Sequence, residues 1–88
     1  MNSDERLAAF LLNLSQRLSS RGYSSKEFVL KMRREEIGSY LGLRLETICR
    51  AIAHLLAQGL VEFSAREVRI HNMDGLKQMV SGCNRQQH

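Results

Sequence analysis

Apolar residues recur along this chain with two different periods. Leu7, Phe10, Leu11, Leu14 and Leu18 return every three or four positions. That spacing places them on one helical face and predicts a helix over residues 3–20. Asn13, Gln16 and Arg17 occupy the polar side. Asn2 and Glu5 have capping-box spacing, and Asp4 and Glu5 suit the positive end of a helix. Gly22 fits the stop. The stripe could dock a partner helix. A domain this small needs every apolar face for its own core, so core packing is the expectation.

The period then shortens. Ser24 and Glu27 can cap a single turn. Phe28, Leu30 and Met32 alternate with Val29 and Lys31, which predicts a short strand over residues 28–32. Ile37 and Leu41 restore the four-residue spacing in a helix over residues 34–41. Ile48, Ile52, Leu55 and Leu56 do the same over residues 45–58, with Gly59 as the stop. Residues 60–64 and 67–71 have strand composition, with the tip at residues 64–67. Asn72 and Asp74 suit the start of a last short helix carrying Leu76, Met79 and Val80. The polar residues 81–88 are expected to be a disordered tail, leaving one domain over residues 1–80.

The middle of this pattern is the most specific part. Gly42 breaks the periodicity where the chain must turn, and Gly38 is small where a second helix must pass close. That is the layout of a helix-turn-helix, whose second helix enters the DNA major groove. The exposed face of that second helix carries Glu46 and Arg50, two side-chain types that can read base edges. A hairpin directly after it is a wing. The expected fold class is mainly α with a small β-hairpin, a winged helix-turn-helix.

Composition narrows the function without naming it. At 88 residues and 43% hydrophobic, the chain can build one modest core. No apolar run approaches a membrane span, and the acidic, polar N-terminus is not a secretory signal. A formal charge of +4 and a pI near 9.6 suit an anionic partner. Cys49 and Cys83 have neither metal-ligand spacing nor disulfide logic, which points to the reducing cytoplasm. Two cysteines cannot supply the four thiolates of an iron–sulfur cluster. His54, His71 and His88 are scattered and read as surface histidines. No metal or cofactor is expected. No Ser/His/Asp set, phosphate loop or convergent acid pair is present, so an enzyme is not expected. No repeat, proline or low-complexity segment marks a linker.

The chain resembles the winged-helix DNA-binding domain of the CRP/FNR family of bacterial transcription regulators, and its FNR branch more than its cyclic-AMP receptor branch. The phrases that carry this are Glu5-Arg6-Leu7-Ala8-Ala9-Phe10-Leu11-Leu12-Asn13-Leu14-Ser15 and Arg21-Gly22-Tyr23-Ser24. Ile37-Gly38-Ser39-Tyr40-Leu41-Gly42-Leu43 and Glu46-Thr47-Ile48-Cys49-Arg50 complete them. The resemblance covers residues 4–80. The resemblance implies that Glu46, Cys49 and Arg50 read bases of a TTGAT-like half-site. An arginine fork pairs with guanine O6 and N7, and a carboxylate accepts from cytosine N4. Glu46 and Arg50, four apart, can also brace each other. If DNA is absent they are merely a surface ion pair, worth little.

This sequence departs from the family at four positions. Cys49 stands where the family has serine; a thiol is the weaker hydrogen-bond donor. It is a small tolerated side chain or, more sharply, a redox switch. Leu45 replaces an arginine of the cyclic-AMP receptor branch, so that branch's site is not expected; a thymine-methyl contact and a half-buried core position are the alternatives. Arg33 and Arg44 stand where a capping Thr or Ser is common, costing each helix start a side-chain cap worth about 1 kcal/mol. Their charge instead suits phosphate contact, shared with Arg34 and Thr47 and, at the wing tip, Arg66. The resemblance further implies RNA polymerase as a partner, homodimerisation of the complete regulator, double-stranded DNA as ligand and no membrane. The family's sensor domain and dimerisation helix are missing, so an excised domain or a short relative is expected, with weak monomer affinity. The other class of reading is a winged-helix protein–protein module that does not bind DNA.

Overall fold

The computed structural model describes residues 2–22, 26–64 and 67–85, the last five without their side chains. The element order is α1 (Ser3–Ser20), β1 (Glu27–Val29), α2 (Arg34–Leu41), α3 (Leu45–Ala57), β2 (Val61–Ser64), β3 (Glu67–Ile70) and α4 (Met73–Arg85). This is a winged helix-turn-helix, with β2 and β3 as the wing.

The start of α1 carries the capping box its sequence spacing implies. The Asn2 side chain accepts from the Glu5 N–H at 2.8 Å, and the Glu5 carboxylate accepts from the Asn2 N–H at 2.8 Å. The apolar stripe of α1 goes into the core. Leu7 and Leu11 are wholly buried, and Phe10, Leu14 and Leu18 pack partly buried against the same cluster. Across from them lie Ile48 and Leu55 of α3 and Leu76 of α4, also fully buried. α1 thus forms one wall, against which α3 and α4 pack.

Two backbone devices aim the chain between α2 and β2. After α2, Gly42 takes a left-handed φ of 72°. There the Leu43 N–H donates to Gly38 O at 2.7 Å and the Gly42 N–H to Ser39 O at 3.3 Å, a Schellman closure. The same closure follows α3. Gly59 has φ 71°, and the Leu60 N–H reaches Leu55 O at 3.1 Å, which turns the chain into the wing.

The sheet has strand order β1-β3-β2, antiparallel throughout. Val68 of β3 pairs with Phe28 on one side and Phe63 on the other, and Phe28, Val61 and Val68 turn into the core. The wing is therefore not a bare hairpin; β1 covers its outer edge.

Three sequence expectations are adjusted. The alternation over residues 28–32 is real, with Phe28 and Leu30 buried, but only Glu27–Val29 is paired. Glu67, which opens β3, pairs with Val29, so nothing is left to pair Leu30. Leu56 was expected in the core, yet it is 41% exposed. One residue is about 100° of helix, and Ala51, fully buried, closes the inner face instead. α4 continues to Arg85, past the end expected near Val80. Its start is as anticipated: Asn72 Oδ1 accepts the Gly75 N–H at 2.9 Å. The proposed cap at Ser24 lies outside the described residues.

The tightest point is Gly38. A Cβ there would sit 2.6 Å from the Leu43 carbonyl oxygen and 3.2 Å from Ile48 Cγ1. Alanine gains about 1 kcal/mol of helix propensity, but overpacking against backbone costs about 1–3 kcal/mol or more. Gly38→Ala should lower stability by roughly 1–2 kcal/mol in urea denaturation. An unchanged midpoint would show that the α2–α3 crossing can relax.

Candidate nucleic-acid interface

The amphipathic pattern of α3 leaves one side without protein cover. Ile48, Ala51, Ile52 and Leu55 are buried. At about 100° per residue, Glu46 and Arg50 point away from that buried direction, and both are exposed. Leu45, Cys49 and Leu56 form an apolar row along one edge of this face, and all three are exposed. Half-buried Thr47 and exposed His54 lie along the other edge. The expected readers Glu46, Cys49 and Arg50 are thus brought together on the first half of α3.

Glu46 and Arg50 do not brace each other. No ion pair joins them, and neither is paired with another charge among the described residues. An exposed i, i+4 pair gains little in water and loses side-chain freedom. Both side chains are therefore available to a ligand. His54 does have a partner: its Nδ1 lies 2.9 Å from the Asp4 carboxylate, tying α3 to the start of α1.

The helix starts beside this face are cationic. Arg33 and Arg34 stand at the start of α2 and Arg44 at the start of α3, all exposed. Arg33 and Arg44 have the extended backbone of N-cap residues, but a guanidinium has no acceptor for a backbone N–H. At α2 half of a capping box survives: Glu36 Oε1 accepts the Arg33 N–H at 3.1 Å. At α3 the Arg44 side chain makes no cap hydrogen bond. The leading N–H groups of that helix, and the positive end of its dipole, face outward beside Arg44. Such a terminus accepts an anion. The field is mixed, since Glu35 and Glu36 sit in the first turn of α2. Arg66, expected at the wing tip, lies outside the described residues.

One cation near the motif was missed in the sequence. A Cβ on Gly42 would come 4.0 Å from Arg6 Nη2, so the Arg6 guanidinium hangs over the α2–α3 turn. Nothing local signals this, because Arg6 belongs to α1. The structure also opens a cleft of about 430 Å³ between the starts of α2 and α3 and the wing. Arg33, Arg34 and Glu35 border it, and Leu30, Met32, Leu45, Cys49 and Phe63 line it. Cys49 is a free, exposed thiol. No cluster of three or more His, Cys, Asp or Glu able to hold a metal occurs among the described residues, and no described helix is long and apolar enough to cross a membrane.

A family model described as the Crp-like helix-turn-helix domain matches residues 5–79. The chain is 58% identical over 80 residues to the transcriptional regulatory protein btr of Bordetella pertussis, a match covering 91% of this chain and 33% of that protein. It is 45% identical over 78 residues to the fumarate and nitrate reduction regulatory protein of Escherichia coli, covering 89% and 31%. The structure of FixK2 from Bradyrhizobium japonicum superposes with a TM-score of 0.77 at 38% identity, over 89% of this chain and 38% of that one. The chain therefore spans about a third of the length of these relatives.

Arg44 occupies cap geometry that a hydroxyl would use better. Arg44→Ser should raise stability by about 1 kcal/mol, read as a higher urea midpoint. No gain would mean that water already serves the α3 terminus as well as a serine would.

Proposed function

This chain belongs to the Crp-like helix-turn-helix domain family, and on that premise we propose that it binds double-stranded DNA through α3 and reads a TTGAT-like half-site. The matched relatives are named as regulatory proteins, one of them transcriptional, and not as enzymes. The observation that carries the reading is the grouping on one uncovered helix face. Glu46 and Arg50 stand free there, with Arg33, Arg34 and Arg44 at the adjoining helix starts.

The division of labour follows from chemistry. Arg50 presents a two-pronged donor to guanine O6 and N7, and Glu46 accepts from the amino group of cytosine. Cys49 lies one position before Arg50 and meets a neighbouring base. Arg33, Arg34, Arg44 and Thr47, with Arg66 from the segment between β2 and β3, hold the sugar–phosphate backbone and set the register of α3. The uncapped N–H groups of α3 add to that hold, because a phosphate oxygen can accept them.

One such domain grips one half-site. In a complete regulator two copies act together, as a homodimer reading half-sites about one helical turn apart. Coupling the two binding events raises affinity without any new contact. RNA polymerase is the partner of that assembly, and the bacterial cytoplasm is its place of work.

The test separates reading from holding. Arg50→Ala should cost roughly 1–3 kcal/mol on a TTGAT-type duplex and relax preference at the guanine. Arg44→Ala should weaken every duplex alike and reduce the steepness of the salt dependence by about one phosphate contact. Titrations against matched and guanine-substituted duplexes distinguish the two. Unchanged base preference in Arg50→Ala would rule out the assigned readout.

A further inference from the structure

α1 carries a second apolar line beside the one that enters the core. Leu7 and Leu11 are wholly buried, whereas Phe10 and Leu14 are only partly so. These two, with Tyr40 and Leu41 at the end of α2, line a groove of about 280 Å³ between the two helices. The Phe10 and Tyr40 rings stand 5.5 Å apart, tilted by 52°, and Tyr40 remains 66% exposed. Arg6 and Arg17 line the same groove. Their spacing along α1 is three helical turns, which returns them to one line of the helix about 16 Å apart. Both are exposed, and neither joins an ion pair among the described residues. Among those residues, no lining side chain is acidic, and none belongs to α3 or the wing.

The chemistry of the groove defines its occupant. The apolar floor takes apolar side chains out of water. The two free guanidiniums take carboxylates, spaced as the arginines are. A groove between two helices accepts a third helix laid along it, and Tyr and Arg are among the side chains that most often anchor such contacts. We propose that the α1–α2 groove docks an acidic amphipathic helix of a partner protein. Its apolar face packs on Phe10, Leu14 and Tyr40, and carboxylates about three turns apart meet Arg6 and Arg17. The formal charge of +4 draws an acidic partner toward the domain. A helix seated there and a duplex on α3 use different residues, so one domain can hold both. The docking is independent of which half-site α3 reads.

The probe is a synthetic alanine-rich helix of about fifteen residues. It carries two glutamates three turns apart, leucines between them on the same face, and a fluorescent label for anisotropy titration with this chain. Control peptides replace both glutamates by lysine, or the leucines by alanine. Each control should bind roughly tenfold more weakly or worse. Arg17→Glu should lose about tenfold for the glutamate peptide, and one of the two peptides with a single glutamate changed to lysine should regain that loss. Tyr40→Ala should weaken the glutamate peptide by roughly three- to tenfold. Arg17 and Tyr40 are exposed, so neither change opens the core; a thermal melt confirms the fold. Equal affinity for the glutamate and lysine peptides, or no binding up to about 1 mM, overturns the proposal. So does Arg17→Glu weakening every duplex alike while leaving the peptide unaffected, which would assign the groove to phosphate. A dimer of this chain in sedimentation that Tyr40→Ala dissolves would assign the groove to a second copy and overturn it as well.

Discussion

The close passage of Gly38 beneath the Leu43 carbonyl governs the geometry of this domain. No room for a Cβ exists there, since that atom would lie 2.6 Å from a backbone oxygen. The same few residues supply the hydrogen bond from the Leu43 N–H to Gly38 O and the left-handed turn at Gly42. Together these set how α3 leaves α2. Ile37 and Ile48 can then bury themselves almost completely against each other's helices. With its inner face committed, α3 has one orientation in which Glu46 and Arg50 face out. The outward face of α3 is thus a consequence of a steric constraint placed eight residues before Glu46.

Stability and charge compete at the helix starts. Arg33 and Arg44 hold the backbone geometry of capping residues without the chemistry of one. At α2 the Glu36 carboxylate accepts the N–H of Arg33 itself, the reciprocal half of a capping box. At α3 the Arg44 side chain forms no cap hydrogen bond. The uncompensated terminus carries exposed N–H groups, a dipole end and an arginine at one place. In a free protein that is a small defect, and beside an anion it becomes a binding feature. The capping box at α1 and the Asn72 cap at α4 show that the chain builds ordinary caps where no such role applies.

The wing gains its shape from a strand far away in sequence. β1 joins β3, so Val68 is flanked by Phe28 and Phe63, and the outer edge of the hairpin is occupied. This ordering also brings Leu30 and Met32, just after β1, into the cleft beside the start of α3. The apolar edge of α3 therefore meets the sheet region instead of open solvent alone, which is why Leu45 and Cys49 belong to a shaped surface.

Local chemistry was legible along the chain. The periods of α1 and α2, the Asn2–Glu5 box, the Gly42 turn and the outward side of α3 all follow from interactions within about one or two helical turns. Their causes lie in neighbouring residues, so the sequence alone determined them. Membership in a winged helix-turn-helix family was legible for the same reason, because its motif is a short run of such local choices. Other features depended on which surfaces meet. Only the tertiary structure decided that β1 pairs with β3, that Leu56 lies outside and Ala51 inside, and that Arg6 reaches the turn. The same holds for the cleft that Leu45 shares with Phe63. Each depends on contacts between residues distant in sequence, whose cost and reward exist only once the chain has closed on its core.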